Sequence, residues 1–311
     1  MSDTRVLFAG TPEFALASLQ ALTGSGNVPL AVLTQPDRPA GRGKRLTASP
    51  VKQFALEHGI EVLQPATLKD PDAVARVAAF APDILVVAAY GLILPQSVLD
   101  IPAKGCLNVH ASLLPRWRGA APIQAAILAG DAETGVSLMA MTAGLDCGPV
   151  YVEERIAIGP DETAGELHDR LAALGGELLV RRFDAIVSGA LQAQEQDDAL
   201  ATYAPKIGKQ DARLDWREPA EALQRRVRAY NPVPGAFFLL DGAPVKCWRA
   251  GVVACSDEAA PGDVLSADRD GIVVACGRDA LRLDSLQRPG KRPVTAGEFS
   301  GAVAMAGRHL G

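Results

Sequence analysis

The chain has 311 residues, of which 48% are hydrophobic and 22% are charged, and its formal net charge is −5 at pH 7. This composition is typical of a folded globular protein and excludes a disordered or fibrous chain. A single hydrophobic core stops growing at about 250–300 residues, so two domains are expected. The longest uncharged run, over 14–36, is interrupted at 23–27, and the most apolar run, over 84–99, contains Gly91 and Pro95. Neither is the stretch of roughly 20 predominantly apolar residues that a membrane helix needs, so no membrane partner is expected.

Residues 1–189 are predicted to alternate short strands with helices. Apolar runs predict the strands, at 6–9, 30–33, 84–89 and 107–109. Helix starts are predicted where a capping residue precedes a proline or an acid, at Thr11-Pro12-Glu13, Ser49-Pro50, Asp70-Pro71 and Thr163 with Glu166. A further helix is predicted over 123–128. The alternation predicts an open, mostly parallel α/β sheet with ligands at the carboxyl ends of its strands.

Residues 190–207 are predicted to be a linker, because the stretch 192–198 is polar and has no apolar period. Beyond the linker, an amphipathic helix is predicted over 219–230. Five short strands are predicted after it, at 237–240, 245–253, 262–265, 272–275 and 281–286. Strands of this length and spacing predict a small β-barrel over 208–311. Basic side chains are in mild excess there, which is compatible with a polyanionic partner.

The densest cluster of candidate functional residues lies at the end of the strand over 107–109. Asn108 and His110 are two residues apart, so on a strand their side chains share one face. Polar groups at the end of an apolar strand need buried partners, so a functional site explains them better than packing does. Asp146 lies between Gly144 and Gly148, which predicts a tight loop that presents a carboxylate. An aspartate in a turn more often bonds its own backbone, and only the nearby histidine favours a functional role.

Asparagine, histidine and aspartate together suit an acyl transfer between two bound amines, which needs no protein nucleophile. No Gly-x-Ser-x-Gly motif is present. Asn108 can donate a hydrogen bond to an oxyanion, and His110 can stabilise that charge or exchange a proton near neutral pH. Asp146 can orient the imidazole or relay a proton through water. Which of the two takes the proton stays open.

A basic loop over 37–45 is the second candidate functional segment. Its cationic residues, interspersed with proline and glycine, are Arg38, Arg42, Lys44 and Arg45. Such a strip suits contact with phosphates, and the alternative is a solvated loop without a ligand. The loop is not a P-loop, because no glycine lies five residues before Gly43 and an arginine replaces the Ser/Thr.

The cysteines and the amino terminus bear on cellular location. Five cysteines, an odd number without a C-x-x-C pair, disfavour a disulfide framework or a zinc site. No signal-peptide pattern follows Met1. We therefore expect a metal-free protein of the reducing cytoplasm, and a monomer.

Two blocks of sequence resemble the signature of the folate-dependent formyltransferases. They are Asn108-x-His110-x-Ser112-Leu113-Leu114-Pro115-x-x-Arg118-Gly119 and Gly144-Leu145-Asp146-x-Gly148. The resemblance implies a Rossmann-like catalytic domain over 1–189, 10-formyltetrahydrofolate as the formyl donor, and a catalytic site of Asn108, His110 and Asp146. It further implies eight residues in or beside the folate pocket: Ser112, Leu113, Leu114, Pro115, Tyr90, Gly91, Ile93 and Leu94.

Within that family, the sequence is most similar to the members that formylate initiator methionyl-tRNA, over nearly the whole chain. Residues 8–15, residues 34–46 and several stretches between 203 and 246 carry the similarity. It implies that the domain over 208–311 is OB-like and binds tRNA, and that the basic loop contacts the tRNA acceptor end. Ala125, Thr142 and Cys147 depart from the usual arginine, aspartate and threonine, which leaves the finer substrate contacts open.

Other functions stay open beside this one. A glycinamide ribonucleotide formyltransferase shares the site but does not need residues 206–311. A formyltransferase for a sugar-nucleotide amine and a 10-formyltetrahydrofolate hydrolase carry a similar second domain, but we do not expect the basic loop in them. An RNA-binding protein without catalysis leaves Asn108, His110 and Asp146 unexplained.

Overall fold

The computed structural model describes residues 4–40, 45–255 and 259–311. It divides into two compact units. The first unit is built from the chain up to residue 122 with 134–156 and 168–204, and the second from 123–133, 157–167 and 205–311. Each unit therefore combines separate stretches of the chain. Domain boundaries at 1–189, 190–207 and 208–311 stay a prediction.

Every predicted helix and strand is present, with ends displaced by no more than two residues. The strands described are β1 (Val6–Gly10), β2 (Ala31–Leu33), β3 (Arg38–Ala40), β4 (Arg45–Thr47), β5 (Glu61–Leu63), β6 (Ile84–Ala88), β7 (Cys106–His110), β8 (Arg118–Gly119), β9 (Glu133–Ala140), β10 (Val150–Ala157), β11 (Tyr203–Ala204), β12 (Phe237–Leu240), β13 (Ala243–Val253), β14 (Val264–Ala267), β15 (Ile272–Ala275), β16 (Ala280–Gln287) and β17 (Val294–Thr295). The helices described are α1 (Glu13–Gly24), α2 (Pro50–Glu57), α3 (Pro71–Ala79), α4 (Gln96–Leu99), α5 (Pro122–Ala129), α6 (Ala164–Val187), α7 (Ala220–Ala229) and α8 (Ala296–Ala302).

A seven-stranded sheet in the order β10-β9-β7-β6-β1-β2-β5 forms the core of the first unit. The five neighbouring strands β7-β6-β1-β2-β5 run parallel to one another, and β9 runs antiparallel to β7. Strands β1, β6 and β7 are buried along their whole length. The prediction of an open, mostly parallel, Rossmann-like sheet is confirmed. Strands β9 and β10 were not predicted, because charged and polar residues interrupt their apolar pattern.

The chain leaves β1 towards β2 and β5 and then returns to β6 on the other side, so β1 and β6 form the topological switch point. Gly10 ends β1 in close packing, because a Cβ there would lie 2.5 Å from Ala15 Cβ and 2.9 Å from the Ala88 carbonyl oxygen. The Thr11 hydroxyl donates to the Tyr90 carbonyl at 3.0 Å and accepts the Gln35 N–H at 3.3 Å. These bonds tie the ends of β1, β2 and β6 together.

Three of the four predicted helix starts are capped as expected. Ser49 accepts the Lys52 N–H and Asp70 accepts the Asp72 N–H, each at 3.1 Å. Thr163 and Glu166 exchange capping-box bonds of 2.8 and 3.3 Å. The role expected for Thr11 is wrong: α1 begins at Glu13 without a side-chain cap, because the Thr11 hydroxyl serves the switch point instead.

An antiparallel sheet forms the core of the second unit. Its order is β12-β13-β16-β15-β14, with β17 on β16. The pairing of β13 with β16 shifts register on both sides of Arg249, and such bulges bend a strand. Phe238, Leu283 and Leu286 fill the inner face, against Leu223 of α7. The curled sheet confirms the prediction of a small OB-like barrel, in the form of a half-barrel.

The packing at Gly10 gives a test of the switch point. We expect Gly10→Ala to lower the free energy of unfolding by about 1–3 kcal/mol, the usual cost of overpacking, since a backbone carbonyl cannot yield as a side chain can. Gly24→Ala is the control, because a Cβ at this helical position meets nothing within 4 Å. Its expected effect is a gain of up to about 1 kcal/mol from helix propensity. Urea denaturation measures both, and equal stabilities would contradict the prediction.

Candidate active site

Asn108 and His110 lie at the carboxyl end of β7, between β6 and β9. Asn108 is level with Val87 of β6, and His110 with Ser137 of β9. The two residues are 8% and 6% exposed, so both are buried polar residues in an apolar sheet. The end of this strand lies two strands from β1, on the side towards which ligands are expected in open α/β sheets.

His110 is oriented by the segment that follows it. Its Nε2 lies 3.1 Å from the Trp117 carbonyl oxygen, and because a carbonyl only accepts, Nε2 carries the proton of this bond. Its Nδ1 faces Oδ2 of Asp146 at 3.8 Å, too long for a direct hydrogen bond. Nδ1 is therefore the ring nitrogen left to gain or lose a proton, and a carboxylate lies beside it.

Asp146 is held from both its side chain and its backbone. Its φ of +47° is in the left-handed region, as the flanking glycines led us to expect of a tight loop. Its Oδ2 accepts the Gly119 N–H at 2.8 Å, so the carboxylate is aimed by the same segment that orients His110. The neighbouring Leu145 is 61% exposed. The structure thus brings Asn108, His110 and Asp146, the three residues predicted to carry the chemistry, to one place.

The Asn108 amide differs from these two groups, because no described residue donates to it or accepts from it. It is also not among the completely enclosed polar groups that lack a partner, of which Tyr90 Oη and Trp216 Nε1 are examples. Its donors therefore stay available at the surface of the site. The primary amide of a residue that is 8% exposed, with no partner among the described residues, suits a hydrogen bond to a ligand.

Arg118 and Gln196 also belong to the site, although the sequence did not predict a role for either side chain. The Arg118 guanidinium is 3% exposed, and its Nε and Nη2 donate to Gln196 Oε1 at 3.0 and 2.8 Å. Gln196 Nε2 donates to the carbonyls of Asp146 and Gly148 at 2.8 and 2.7 Å. The only sequence signal was Arg118 in the family signature. Nothing in the pattern pairs it with a residue 78 positions away.

The turn over 112–115, implied to bind folate, uses its polar groups internally. The Ser112 hydroxyl is fully buried and donates to the Arg116 carbonyl at 2.6 Å. The Leu114 N–H donates to Ser137 Oγ at 3.1 Å, and Ser137 Oγ donates to the Ser112 carbonyl at 2.7 Å. Leu113 and Pro115 are partly exposed. The contact that this turn offers to a ligand is therefore mainly apolar.

Glu153 of β10 lies beside that turn, with Oε1 3.1 Å from Ser137 Oγ. The Ser137 hydroxyl carries one proton, which it donates either to the Ser112 carbonyl or to Glu153. Desolvation raises the pKa of the Glu153 carboxyl. When Glu153 is protonated it donates to Ser137, and both bonds are made at once.

The second set of residues implied to line the folate pocket follows β6. Tyr90 is 2% exposed, its hydroxyl has no partner among the described residues, and burial raises the pKa of the phenol. Leu94 packs in the same core, whereas Ile93 is 80% exposed. Gly91 has a φ of +80°. Within this set, Gly91 and Ile93 are exposed and can contact a ligand, whereas Tyr90 and Leu94 are buried in the core.

The basic loop leaves the sheet after β2 as a hairpin of β3 and β4. Arg38 and Arg45 are exposed on it, and Arg42 and Lys44 lie outside the described residues. At its base, Asp37 accepts Lys52 Nζ at 2.7 Å and Gln64 Nε2 at 2.8 Å.

The hydrogen bond from Lys52, followed by that from Gln64, lowers the pKa of the Asp37 carboxyl. The base of the hairpin is therefore fixed to α2 and to the end of β5.

Two of the departures from the family pattern face each other. Thr142 Oγ1 and Cys147 Sγ lie 3.5 Å apart across the Asp146 loop. Ala125, the third departure, is half-buried on α5. Thr142 and Cys147, which stand where the family usually has an aspartate and a threonine, thus contact each other.

Two surveys of the described ranges bear on ligands and location. In residues 4–40, 45–255 and 259–311, no group of three or more His, Cys, Asp or Glu side chains is placed to hold a metal ion. Over the same ranges, none of the helices has the length and apolarity required to cross a membrane.

Comparison with known proteins gives the family. The formyl transferase family model matches residues 4–183, and the model of the formyl transferase C-terminal domain matches residues 206–302. The methionyl-tRNA formyltransferase of Methylococcus capsulatus is 52% identical over 307 residues, 99% of either chain. That of Aromatoleum aromaticum is 58% identical over 296 residues, 95% of this chain and 93% of the relative. The chain belongs to the methionyl-tRNA formyltransferase family.

A solved structure extends the comparison to the fold of this formyltransferase. HypX from Aquifex aeolicus, crystallised in complex with tetrahydrofolic acid, superposes with a TM-score of 0.63 at 17% sequence identity. The match covers 96% of this chain and 47% of HypX. At that identity the likeness concerns the fold alone.

The proton shared near Glu153 predicts a pH-dependent stability. The folded-state pKa of Glu153 is raised, so its carboxyl binds a proton more tightly in the native than in the unfolded chain. The stability this proton provides is complete below the unfolded-state pKa and is lost as pH rises through the folded-state value. Glu153→Gln cannot ionise. We therefore expect its Tm, relative to that of the unchanged protein, to increase between pH 4 and pH 7 in thermal unfolding followed by circular dichroism. Parallel curves would contradict this.

Proposed function

We propose that this protein transfers the formyl group of 10-formyltetrahydrofolate to the α-amine of methionine carried by initiator tRNA, as a cytoplasmic monomer. The observation that carries the proposal is the grouping of Asn108, His110 and Asp146 at the end of one sheet strand. The names of relatives that are 52–58% identical over nearly the whole chain support the acceptor. The folate-bound structural neighbour supports the class of donor.

Asn108 stabilises the charge that develops during transfer. When the neutral amine attacks the formyl carbon, a carbon–nitrogen bond forms and the formyl oxygen becomes an oxyanion. The Asn108 amide has no competing partner in the described protein, so its N–H donates to that oxygen. A preorganised donor of this kind lowers the activation barrier by about 3–4 kcal/mol. The adduct then collapses, the bond to the folate nitrogen breaks, and the product is an N-formyl amide.

His110 and Asp146 handle the proton that the amine gives up and the folate nitrogen receives. The bond from Nε2 to the Trp117 carbonyl leaves Nδ1 as the exchanging atom. Asp146 lies 3.8 Å away, a distance that one water molecule or a small shift of the ring can bridge. The carboxylate, fixed by the Gly119 N–H, keeps the imidazole in place while a proton passes. Either group can therefore deliver the proton, and neither needs a metal ion.

The donor is held mainly by apolar contacts. Of the implied folate residues, Gly91, Ile93, Leu113 and Pro115 present surface. The polar groups of Ser112 are engaged within the protein, so its side chain shapes the turn that carries Leu113. A flat, largely aromatic ligand fits apolar walls with a few polar groups.

The acceptor tRNA is held by charge. Arg38 and Arg45 are exposed on the hairpin of β3 and β4, and Arg42 and Lys44 lie in the same loop of the sequence. Cationic side chains on a polar loop contact phosphates without reading sequence. We do not expect this loop in formyltransferases that modify a sugar-nucleotide amine, and its presence therefore favours the tRNA acceptor.

A single assay tests the proposed function against its alternatives. The purified protein is incubated with 10-formyltetrahydrofolate and, in parallel, with methionyl initiator tRNA, a sugar-nucleotide amine or no acceptor. We expect N-formylmethionyl-tRNA in the first reaction and no formylated product in the second. Formylation of the sugar amine alone would assign the other acceptor, and folate release without an acceptor would indicate a hydrolase.

The catalytic assignment predicts separate effects on turnover and binding. Asn108→Ala and His110→Ala should each lower kcat by about 100-fold or more, because a preorganised donor or a proton carrier is lost. Affinity for methionyl-tRNA, measured by filter binding, should change by less than about threefold. Variants that retain more than a tenth of the activity would overturn the assignment.

The tRNA assignment predicts an effect that salt imitates. Arg45→Ala should raise the KM for methionyl-tRNA several-fold at low ionic strength, and the difference from the unchanged protein should shrink as salt is added. Arg76→Ala is the matched control, because Arg76 is an exposed arginine of α3 away from the hairpin. Arg45→Ala kinetics that match those of Arg76→Ala at every salt concentration would remove the loop from the tRNA site.

A further inference from the structure

Residues 194–204, which we name the strap, are bonded to two parts of the site. One is the Asp146 loop with the start of β10 that follows it, and the other is the segment over 117–119. Gln194 and Val150 exchange two backbone hydrogen bonds of 2.8 Å. Thr202 accepts the Trp117 N–H on its hydroxyl and the Arg118 N–H on its carbonyl, each at 2.9 Å. Strand β11, which is part of the strap, pairs in parallel with β8. The segment that the sequence predicted as a linker therefore supports the residues that orient His110 and Asp146.

The packing between the strap and β8 is close. Gly119 has a φ of +119°, and a Cβ there would lie 2.6 Å from the Ala204 carbonyl oxygen. The Gly119 N–H points the other way, to the Asp146 carboxylate. The position of this donor thus depends on β11 lying against β8.

Gln196 is the side chain through which the strap reaches the Asp146 loop. Its Nε2 bonds two backbone carbonyls of the loop, and its Oε1 receives two guanidinium N–H groups of Arg118. All donors of the amide are used, and a carbonyl pair on one side with a guanidinium on the other fixes which way the amide faces. Arg118 is itself anchored to Asp198 of the strap at 2.8 Å.

We propose that Gln196 is a positioning residue for the transfer reaction, which holds Asp146 at its distance from His110 by bonding the backbone of the Asp146 loop. The proposal rests on the proposed function of the site. Gln196 donates a hydrogen bond to the Asp146 carbonyl, and the Gly119 N–H donates one to the Asp146 carboxylate. Loss of the hydrogen bonds from Gln196 lets the Asp146 loop shift, and a shift of about 1 Å is enough to lower the rate on the order of 100-fold.

Gln196→Glu separates this role from support of Arg118. The glutamate keeps an acceptor for the guanidinium and adds an opposite charge, so the bond to Arg118 is preserved or strengthened. It removes both donors and places a carboxylate oxygen against the carbonyls of Asp146 and Gly148. Gln192→Glu is the matched control in the same stretch, because Gln192 is exposed and its amide bonds only the Gly189 carbonyl among the described residues.

The kinetic experiment measures kcat and KM for methionyl-tRNA and for the folate donor in full-length proteins. We expect Gln196→Glu to lower kcat at least tenfold, to change either KM by less than threefold, and to leave Tm within a few degrees. Gln192→Glu should match the unchanged protein. An unchanged kcat, a loss confined to KM, or an equal loss in both variants would overturn the proposal. Gln196→Met, which lacks both donors and the acceptor, replaces Gln196→Glu if the latter does not fold.

Hydrogen exchange of the Gly119 amide tests the same point without a substrate. Its acceptor is Asp146, so we expect exchange at this amide to accelerate at least tenfold in Gln196→Glu and not in Gln192→Glu. If the unchanged protein fails to formylate methionyl-tRNA, the proposed function falls while this measurement still decides whether Gln196 holds the loop. Unaltered exchange would overturn the positioning role whatever the enzyme assay shows.

Discussion

The site depends on two hydrogen bonds made by one short segment, residues 117–119. The Trp117 carbonyl accepts a hydrogen bond from His110 Nε2, and the Gly119 N–H donates one to the Asp146 carboxylate. The two groups lie 3.8 Å apart, too far for a direct hydrogen bond, and each is bonded to the backbone between Trp117 and Gly119. A site of this kind is preorganised by main-chain geometry, which cannot rotate away as a side chain can.

That segment is supported in turn from a distant part of the chain. Strap residues bond it at Trp117 and Arg118 and pack against Gly119. A buried arginine is costly unless it is paired, and the partners of Arg118 include Gln196 and Asp198. The same pairing brings the Gln196 amide to the loop of Asp146. The buried guanidinium of Arg118 is thus paired with the strap and, through Gln196, linked to the Asp146 loop.

The sequence predicts most of this architecture, and its failures have physical causes. Apolar runs identified β1, β6 and β7, since strands that are buried on both faces leave that pattern, but they did not identify β10, which is only half-buried. The spacing of Asn108 and His110 placed them on one face of a strand. No local pattern could indicate Gln196, because the groups that it bonds in the site are 48 to 78 residues away in the chain. Thr11 has the form of a helix cap, but a tertiary hydrogen bond to Tyr90 competes for its hydroxyl.

The base of the cationic hairpin has a consequence for the evolution and engineering of the protein. Asp37, Lys52 and Gln64 close it with bonds that lie outside the stretch between β3 and β4. The base of the hairpin is therefore fixed by α2 and by the end of β5, and not by residues of β3 or β4. Under the proposed function, substitutions confined to β3 and β4 alter the contact with the acceptor, while the bonds at the base of the hairpin and the residues at the end of β7 stay in place.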